Sequence, residues 1–224
     1  MTQIGEFPRI TRPAPSTVLL ETRVVAVLRA AHARDCSLII EALLAGGIRS
    51  IELTLSTPGV FDELPVLAER FGEAIEIGVG TVTDVNDATT AIDTGAHYLV
   101  TPHTDPAIIE TAINRGVPIF PGGLTPTELL AGWQAGGTAV KVFPASTVGP
   151  GYMAQLRGPF PDMVFIPSGG VGIEDAAAWI RAGAMAVSLG GPLIGDAFNG
   201  GDLGSLRERA AKVRALVDEA GGVR

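Results

Sequence analysis

The sequence predicts an α/β fold, a single (β/α)8 TIM barrel, on three observations. Short β-branched runs alternate with longer amphipathic stretches along the whole chain. Eight such units in about 200 residues suit a compact barrel. Several helical patterns stop at glycine just before the next strand, at Gly46-Gly47, Gly95, Gly116, Gly136-Gly137 and Gly183, as a left-handed helix cap requires. Strand and helix in alternation imply right-handed crossovers and a parallel sheet. A doubly wound open sheet is the structural alternative.

The elements follow in order. Runs rich in Val and Ile predict strands over 24–28, 48–54, 75–79, 97–101, 117–120, 138–143, 163–167 and 184–189. Amphipathic periodicity predicts helices over 35–45, 58–71, 84–94, 105–115, 125–135, 174–182 and 203–220. Between the sixth and seventh strands the pattern is weaker, a short helix near 150–157 followed by "GPFPD". The opening "MTQIGEFPRITRPAPS" holds three prolines and no apolar core of signal-peptide length. Residues 1–15 therefore read as a loose leader and 16–224 as one barrel domain.

Composition narrows the function. With 46% apolar and 18% charged residues over 224 positions, the chain reads as globular and able to bury a sizeable core. A net charge of −8 argues against a broad nucleic-acid or anionic-membrane face. An anionic ligand would need a local set of donors. A single cysteine, Cys36, excludes an internal disulfide and fits a reducing cytosol. Uncharged runs such as 182–195 are broken by Gly and Pro, short of the roughly 20 apolar residues of a membrane span. The expected location is the cytoplasm.

In a barrel, chemistry gathers where the strands end. Those ends carry Arg29, Glu52 with Thr54, Thr81, Thr101-Pro102-His103, Pro121-Gly122-Gly123, Lys141, Ser168-Gly169-Gly170 and Gly190-Gly191. Lys141 is one of only two lysines and sits inside "TAVKVFPAS". Alternation puts Ala139, Lys141 and Phe143 on one face and Val140 and Val142 on the other. If the valines face the helices, Lys141 points into the barrel. Burial there would lower its pKa and make the amine a nucleophile for a ketone. A lysine reaching for the rim, or pairing with a carboxylate, is the non-catalytic alternative. Glu52 shares an inward face with Ser50 and Thr54, so it is a second inward charge that could shuttle protons beside an iminium.

The turns "PSGGVGIED" and "SLGGPL" follow the last two strands. Such glycine-rich turns expose backbone N–H groups and suit phosphate, with Gly169, Gly170, Gly190 and Gly191 as the donors. Arg29 could add a charge-assisted bond to phosphate or carboxylate. "GVGTVTD" lacks the third glycine of a dinucleotide fingerprint; Thr81 within it is a candidate to hold a small carboxylate. His32, His97 and His103 lack ligand spacing, so no metal site is expected.

The segments "GGIRSIELTLSTP", "GVGTVTD", "VTPH", "PIFPGG", "VKVFPAS" and "PSGGV" together resemble the KHG/KDPG aldolases, class I pyruvate-dependent lyases of the Entner–Doudoroff and related pathways. The resemblance runs from about residue 24 to 195, in the same order. It implies a barrel, a homotrimer and no cofactor. Lys141 stands at the Schiff-base position and Glu52 at the proton-transferring glutamate. Arg29, Thr81, Pro102, Ser168, Gly169, Gly170, Gly190 and Gly191 fall at substrate-binding positions. One departure is Ser56 in "TLST", where many gluconate-type relatives have arginine. Ser168 keeps the hydroxyl of the gluconate type, while "VGPGY" leans towards the galactonate type. The expected reaction is cleavage of 2-dehydro-3-deoxy-6-phosphogluconate to pyruvate and glyceraldehyde 3-phosphate. The alternatives are the 6-phosphogalactonate epimer, unphosphorylated 4-hydroxy-2-oxoglutarate, or a phosphosugar-binding barrel without turnover.

Overall fold

β-Branched runs become strands here because each can be buried on both faces. In the computed structural model, which describes residues 11–222, these strands are β1 Val24–Leu28, β2 Ser50–Thr54, β3 Glu76–Gly80, β4 Leu99–Val100, β5 Ile119–Phe120, β6 Gly122–Gly123, β7 Val140–Val142, β8 Phe165–Pro167 and β9 Val187–Leu189. Every pairing among them is parallel. Six form one sheet in the order β5-β4-β3-β2-β1-β9, and β6-β7-β8 form a second. The result is an α/β fold whose parallel sheet forms a half-barrel. Its order is sequential with the last strand beside the first, which a doubly wound sheet would not give. Between the two sheets, a parallel bridge joins Ser168 to Ser188, and the Met185 N–H donates to the Phe165 carbonyl at 2.9 Å.

The fifth strand expected over 117–120 is recovered as β5 alone, and a further short strand, β6, follows beyond Pro121. Proline has no N–H to give the ladder. Its carbonyl still accepts from Lys141 N at 2.8 Å, and Gly123 O accepts from Phe143 N at 2.9 Å. Those two bonds suspend β7 beside the break. Of the remaining strands, β1 has the expected limits and β3 is shifted by one residue, while the others are shorter, chiefly at their first residues. Those residues still bond to their neighbours, as Glu76 N to Arg49 O at 2.9 Å and Val140 N to Val164 O at 2.8 Å.

Helices fill the connections: α1 Thr17–Thr22, α2 Cys36–Ala45, α3 Val60–Phe71, α4 Val85–Asp93, α5 Pro106–Asn114, α6 Pro126–Gln134, α7 Gly151–Arg157, α8 Ala176–Arg181, α9 Gly191–Ile194 and α10 Leu203–Gly221. Their starts follow capping chemistry. Asp84, Asp105 and Asp202 accept first-turn N–H groups of α4, α5 and α10. Thr125 and Glu128 form a reciprocal capping box on α6, with Pro126 at its first position. The short helices α1 and α9 had no signal in the sequence reading. Within the leader expected over 1–15, residues 1–10 lie outside the described residues. Arg12 and Pro13, by contrast, are tied down. The Arg12 guanidinium lies 3.6 Å from the Trp133 ring centroid and donates to Gly137 O at 2.9 Å, while Thr138 Oγ1 donates to Pro13 O at 2.8 Å.

Strand alternation separates two apolar layers. The outer one, between strands and helices, contains Val24, Ile51, Ile77, Val140, Val142 and Phe165. The inner one is small: Leu19, Val25, Tyr98, Val100, Phe120, Ala139, Ile166 and Ala186. Lys141 therefore stands on the inner face, two residues beyond Ala139, with both valines turned outward.

Candidate active site

A cavity of about 540 Å³ opens at the C-terminal ends of the strands, above the inner layer. All ten residues singled out from the sequence line it: Arg29, Glu52, Thr81, Pro102, Lys141, Ser168, Gly169, Gly170, Gly190 and Gly191. They come from connections or strands far apart in sequence, and parallel pairing with equal strand direction brings them to one mouth.

Lys141 is 7% exposed and Glu52 2% exposed. Among the described residues, no hydrogen bond or ion pair joins either side chain to another group. The Lys141 Nζ lies 4.9 Å from the Phe143 ring centroid, a cation–π contact. Burial pushes the Glu52 carboxyl above its ordinary range, while the charges of Lys141 and Arg29 pull it back. The two groups thus feel each other without locking into a salt bridge. A substrate atom can sit between them, which a closed ion pair would prevent. Beneath them a second cavity of only about 10 Å³ is walled by Val25, Val100, Phe120 and Ile166, so both side chains rest directly on apolar groups.

Glycine makes room for the carboxylate. Glu52 pairs in register with Gly78, and two residues on, a Cβ at Gly80 would lie 1.9 Å from Glu52 Oε1. Gly80→Ala must therefore displace the carboxylate. Misplacing a catalytic group by about 1 Å costs on the order of 100-fold, so kcat for this variant is expected to fall by one to two orders of magnitude. Steady-state rates measured beside a thermal melt check this; an unaltered kcat would remove Glu52 from the chemistry.

Just beyond Gly80, Thr81 has φ +61°, a left-handed conformation that is strained for a β-branched residue. Such strain is found where structure is held for a purpose, and here it turns Thr81 into the cavity. On the opposite wall Gly169 and Gly170 have φ +85° and +75°. Among the described residues, the N–H groups of Gly169, Gly170 and Gly190 donate to no backbone acceptor. They are free donors on adjacent loops, with Gly191 beside them at the start of α9. Ser168 Oγ donates to Ser188 Oγ at 3.3 Å, which leaves its lone pairs for a ligand hydroxyl. Arg29, at the end of β1, donates from Nε to Ser56 Oγ at 2.9 Å.

Sequence reasoning missed Val27, Phe143, Ile194, Phe198 and Asn199 on the cavity wall and gave Thr54 no site role. Phe143 was legible, since it shares the Lys141 face. Phe198 and Asn199 arrive from a 3-10 turn after α9, and no local pattern marks them. Cys36 is buried in α2, and burial, with Asp35 and Glu63 adding, pushes its thiol up to about 12, so it is no nucleophile. Among the described residues no group of His, Cys, Asp or Glu is arranged to hold a metal ion, and no helix is long and apolar enough to cross a membrane.

Comparison with known proteins points to one family. A family model described as KDPG and KHG aldolase matches residues 16–206. A probable 2-dehydro-3-deoxy-6-phosphogalactonate aldolase of Rhizobium meliloti (strain 1021) is 30% identical over 204 residues, 91% of this chain and 95% of that protein. A 2-dehydro-3-deoxy-phosphogluconate aldolase of Pseudomonas aeruginosa is 32% identical over 165 residues, 73% of this chain and 74% of its own. A solved KDPG aldolase of Legionella pneumophila, described with pyruvate captured at low pH as a covalent carbinolamine intermediate, has a TM-score of 0.80 at 26% identity, covering 88% of this chain and 96% of that one.

Proposed function

The chain belongs to the KDPG and KHG aldolase family, and from that premise we propose that it cleaves 2-dehydro-3-deoxy-6-phosphogluconate to pyruvate and glyceraldehyde 3-phosphate through a Schiff base on Lys141. The observation that carries the reading is the buried, unpaired Lys141 beside a buried Glu52 in one cavity. The Lys141 amine adds to the C2 ketone, and loss of water gives an iminium. Glu52 takes the proton of the C4 hydroxyl as the C3–C4 bond breaks. The bonding pair flows into the iminium, leaving an enamine and the aldehyde. Glu52 then returns a proton to C3, and water releases pyruvate and restores the amine. A carboxyl raised by burial suits both directions of this transfer.

Thr81 orients the carboxylate. The glycine N–H groups on the two loops, with Arg29, hold the phosphate, and the Ser168 lone pairs take the C4 hydroxyl. Pro102 closes the wall without adding a donor. The bonds between the two sheets support a closed (β/α)8 barrel, taken here as one domain over 16–224. A cytoplasmic homotrimer completes the proposal; no cofactor enters the scheme. The 6-phosphogalactonate epimer is the second reading, favoured by the long coverage of the Rhizobium relative.

Two measurements test this. Borohydride added with pyruvate is expected to leave a reduced adduct on the peptide bearing Lys141; an unlabelled peptide would end the Schiff-base mechanism. Pyruvate release from both C4 epimers and from 4-hydroxy-2-oxoglutarate is expected to be fastest with the phosphogluconate. A faster galactonate epimer would select the second reading. A phosphate-free substrate cleaved equally well would remove the phosphate role, and binding without release would make the barrel a binding protein.

A further inference from the structure

Arg29 leaves the end of β1 on a long, exposed side chain, yet its guanidinium has a fixed tether. Among the described residues its side chain makes one hydrogen bond, from Nε to Ser56 Oγ at 2.9 Å. Nε–H can only donate, so Ser56 accepts. Thr54 Oγ1 donates to Leu28 O at 3.0 Å, which uses its one proton. In the 3.1 Å contact between Thr54 and Ser56, Ser56 must then be the donor. Each proton is thereby allocated: Arg29 to Ser56, Ser56 to Thr54, and Thr54 to the carbonyl of the residue before Arg29. Such a chain strengthens its members. The backbone beside it is braced as well, by Ala30 N on Thr57 Oγ1 at 3.1 Å and Ala33 N on Pro58 O at 2.9 Å.

Ser56 does not line the cavity; Arg29 does. With Nε committed, the two Nη groups remain, at the mouth that also holds the free N–H groups of the glycine loops. We propose, on the aldolase reading above, that Ser56 is a positioning residue that aims the Arg29 guanidinium at the substrate phosphate. The hydroxyl, rather than the side chain's bulk, does this, because Ser56 is exposed. Thr54, buried behind it, fixes the direction of the chain.

The test compares wild type, Ser56→Ala, Ser56→Thr, Arg29→Ala and the Arg29→Ala/Ser56→Ala pair. Loss of one charge-assisted tether in Ser56→Ala is expected to raise KM for the phosphorylated substrate about fivefold, with kcat moving less than about twofold. Ser56→Thr keeps the hydroxyl and is expected to restore KM. In the Arg29→Ala background the serine change is expected to add nothing, and KM for an unphosphorylated keto acid is expected to stay put. An effect that persists without Arg29, or that is equal on both substrates, overturns the assignment. Calorimetric binding of inorganic phosphate supplies a readout without turnover. Weaker binding in Ser56→Ala supports the tether even in a chain that cleaves nothing, and that case sinks only the aldolase reading. Active enzyme with unaltered phosphate affinity in Ser56→Ala sinks only the tether.

Discussion

Lys141→Met is expected to lower kcat/KM for the phosphorylated keto acid by on the order of 10⁴-fold or more, the usual scale for removing a covalent nucleophile. No other lysine can take over. The only other lysine, Lys212, lies exposed on α10 and is paired with Glu174, on the outer surface of the fold. Methionine is one atom shorter than lysine and keeps an apolar stem, ending in a methyl group just short of the place where Nζ now stands buried over Phe143. Lys141 has no ion-pair partner among the described residues, and the neighbouring Glu52, whose carboxyl its charge lowers, answers the exchange by keeping its proton to higher pH. The melting temperature is therefore expected to hold or rise while turnover disappears. Initial rates, a borohydride trap and a thermal melt on one preparation check both halves. Turnover above about 1% of wild type would show that the Schiff base forms elsewhere or not at all.

Glu52→Gln is expected to lower kcat by about 10² to 10⁴-fold, the range for a lost general acid–base group. Its stability should move in the opposite direction, with a sign that pH reveals. The folded state raises the Glu52 carboxyl above its ordinary 4.5, chiefly by burial. Folded protein therefore holds a proton that unfolded chain has already released as pH climbs past that value. Stability falls as pH rises from about 4.5 to the raised value, and the full penalty persists above it. Glutamine does not titrate and escapes the penalty. Glu52→Gln is thus expected to melt above wild type at pH 8, and the gap is expected to close towards pH 4. A gap that widens in acid would mean that Glu52 stabilises the fold as a paired carboxylate.

The residues of the site were easier to read from the sequence than the exact extent of the fold. Lys141 and Glu52 were legible because a charge inside an alternating apolar run has few places to go, and alternation alone gives its direction. The glycine loops were legible because their position after the last two strands is fixed by chain order. Strand limits were not, because pairing depends on how far a neighbour overlaps, and the sequence of 97–101 carries no record that the regular strand is confined to Leu99 and Val100. The break at Pro121 was visible as a proline, yet its effect, turning one strand between two sheets, depends on partners at Val100 and Lys141. Phe198 and Asn199 were invisible for the same reason, since they reach the cavity through the left-handed turn at Gly195 and not through any periodicity.

The two apolar layers divide what selection can see. On β7 and its flanks, Val140 and Val142 answer to the outer layer, while Ala139, Lys141 and Phe143 answer to the inner face and the cavity. Adjacent codons are thus under unrelated constraints. Exchanges at the valines register as the amount of folded protein a cell keeps, and exchanges between them register as metabolic flux. A lineage can drift on one side of a strand while the other is held. It can also retune the inner side for a new sugar acid without disturbing the packing that keeps the chain folded.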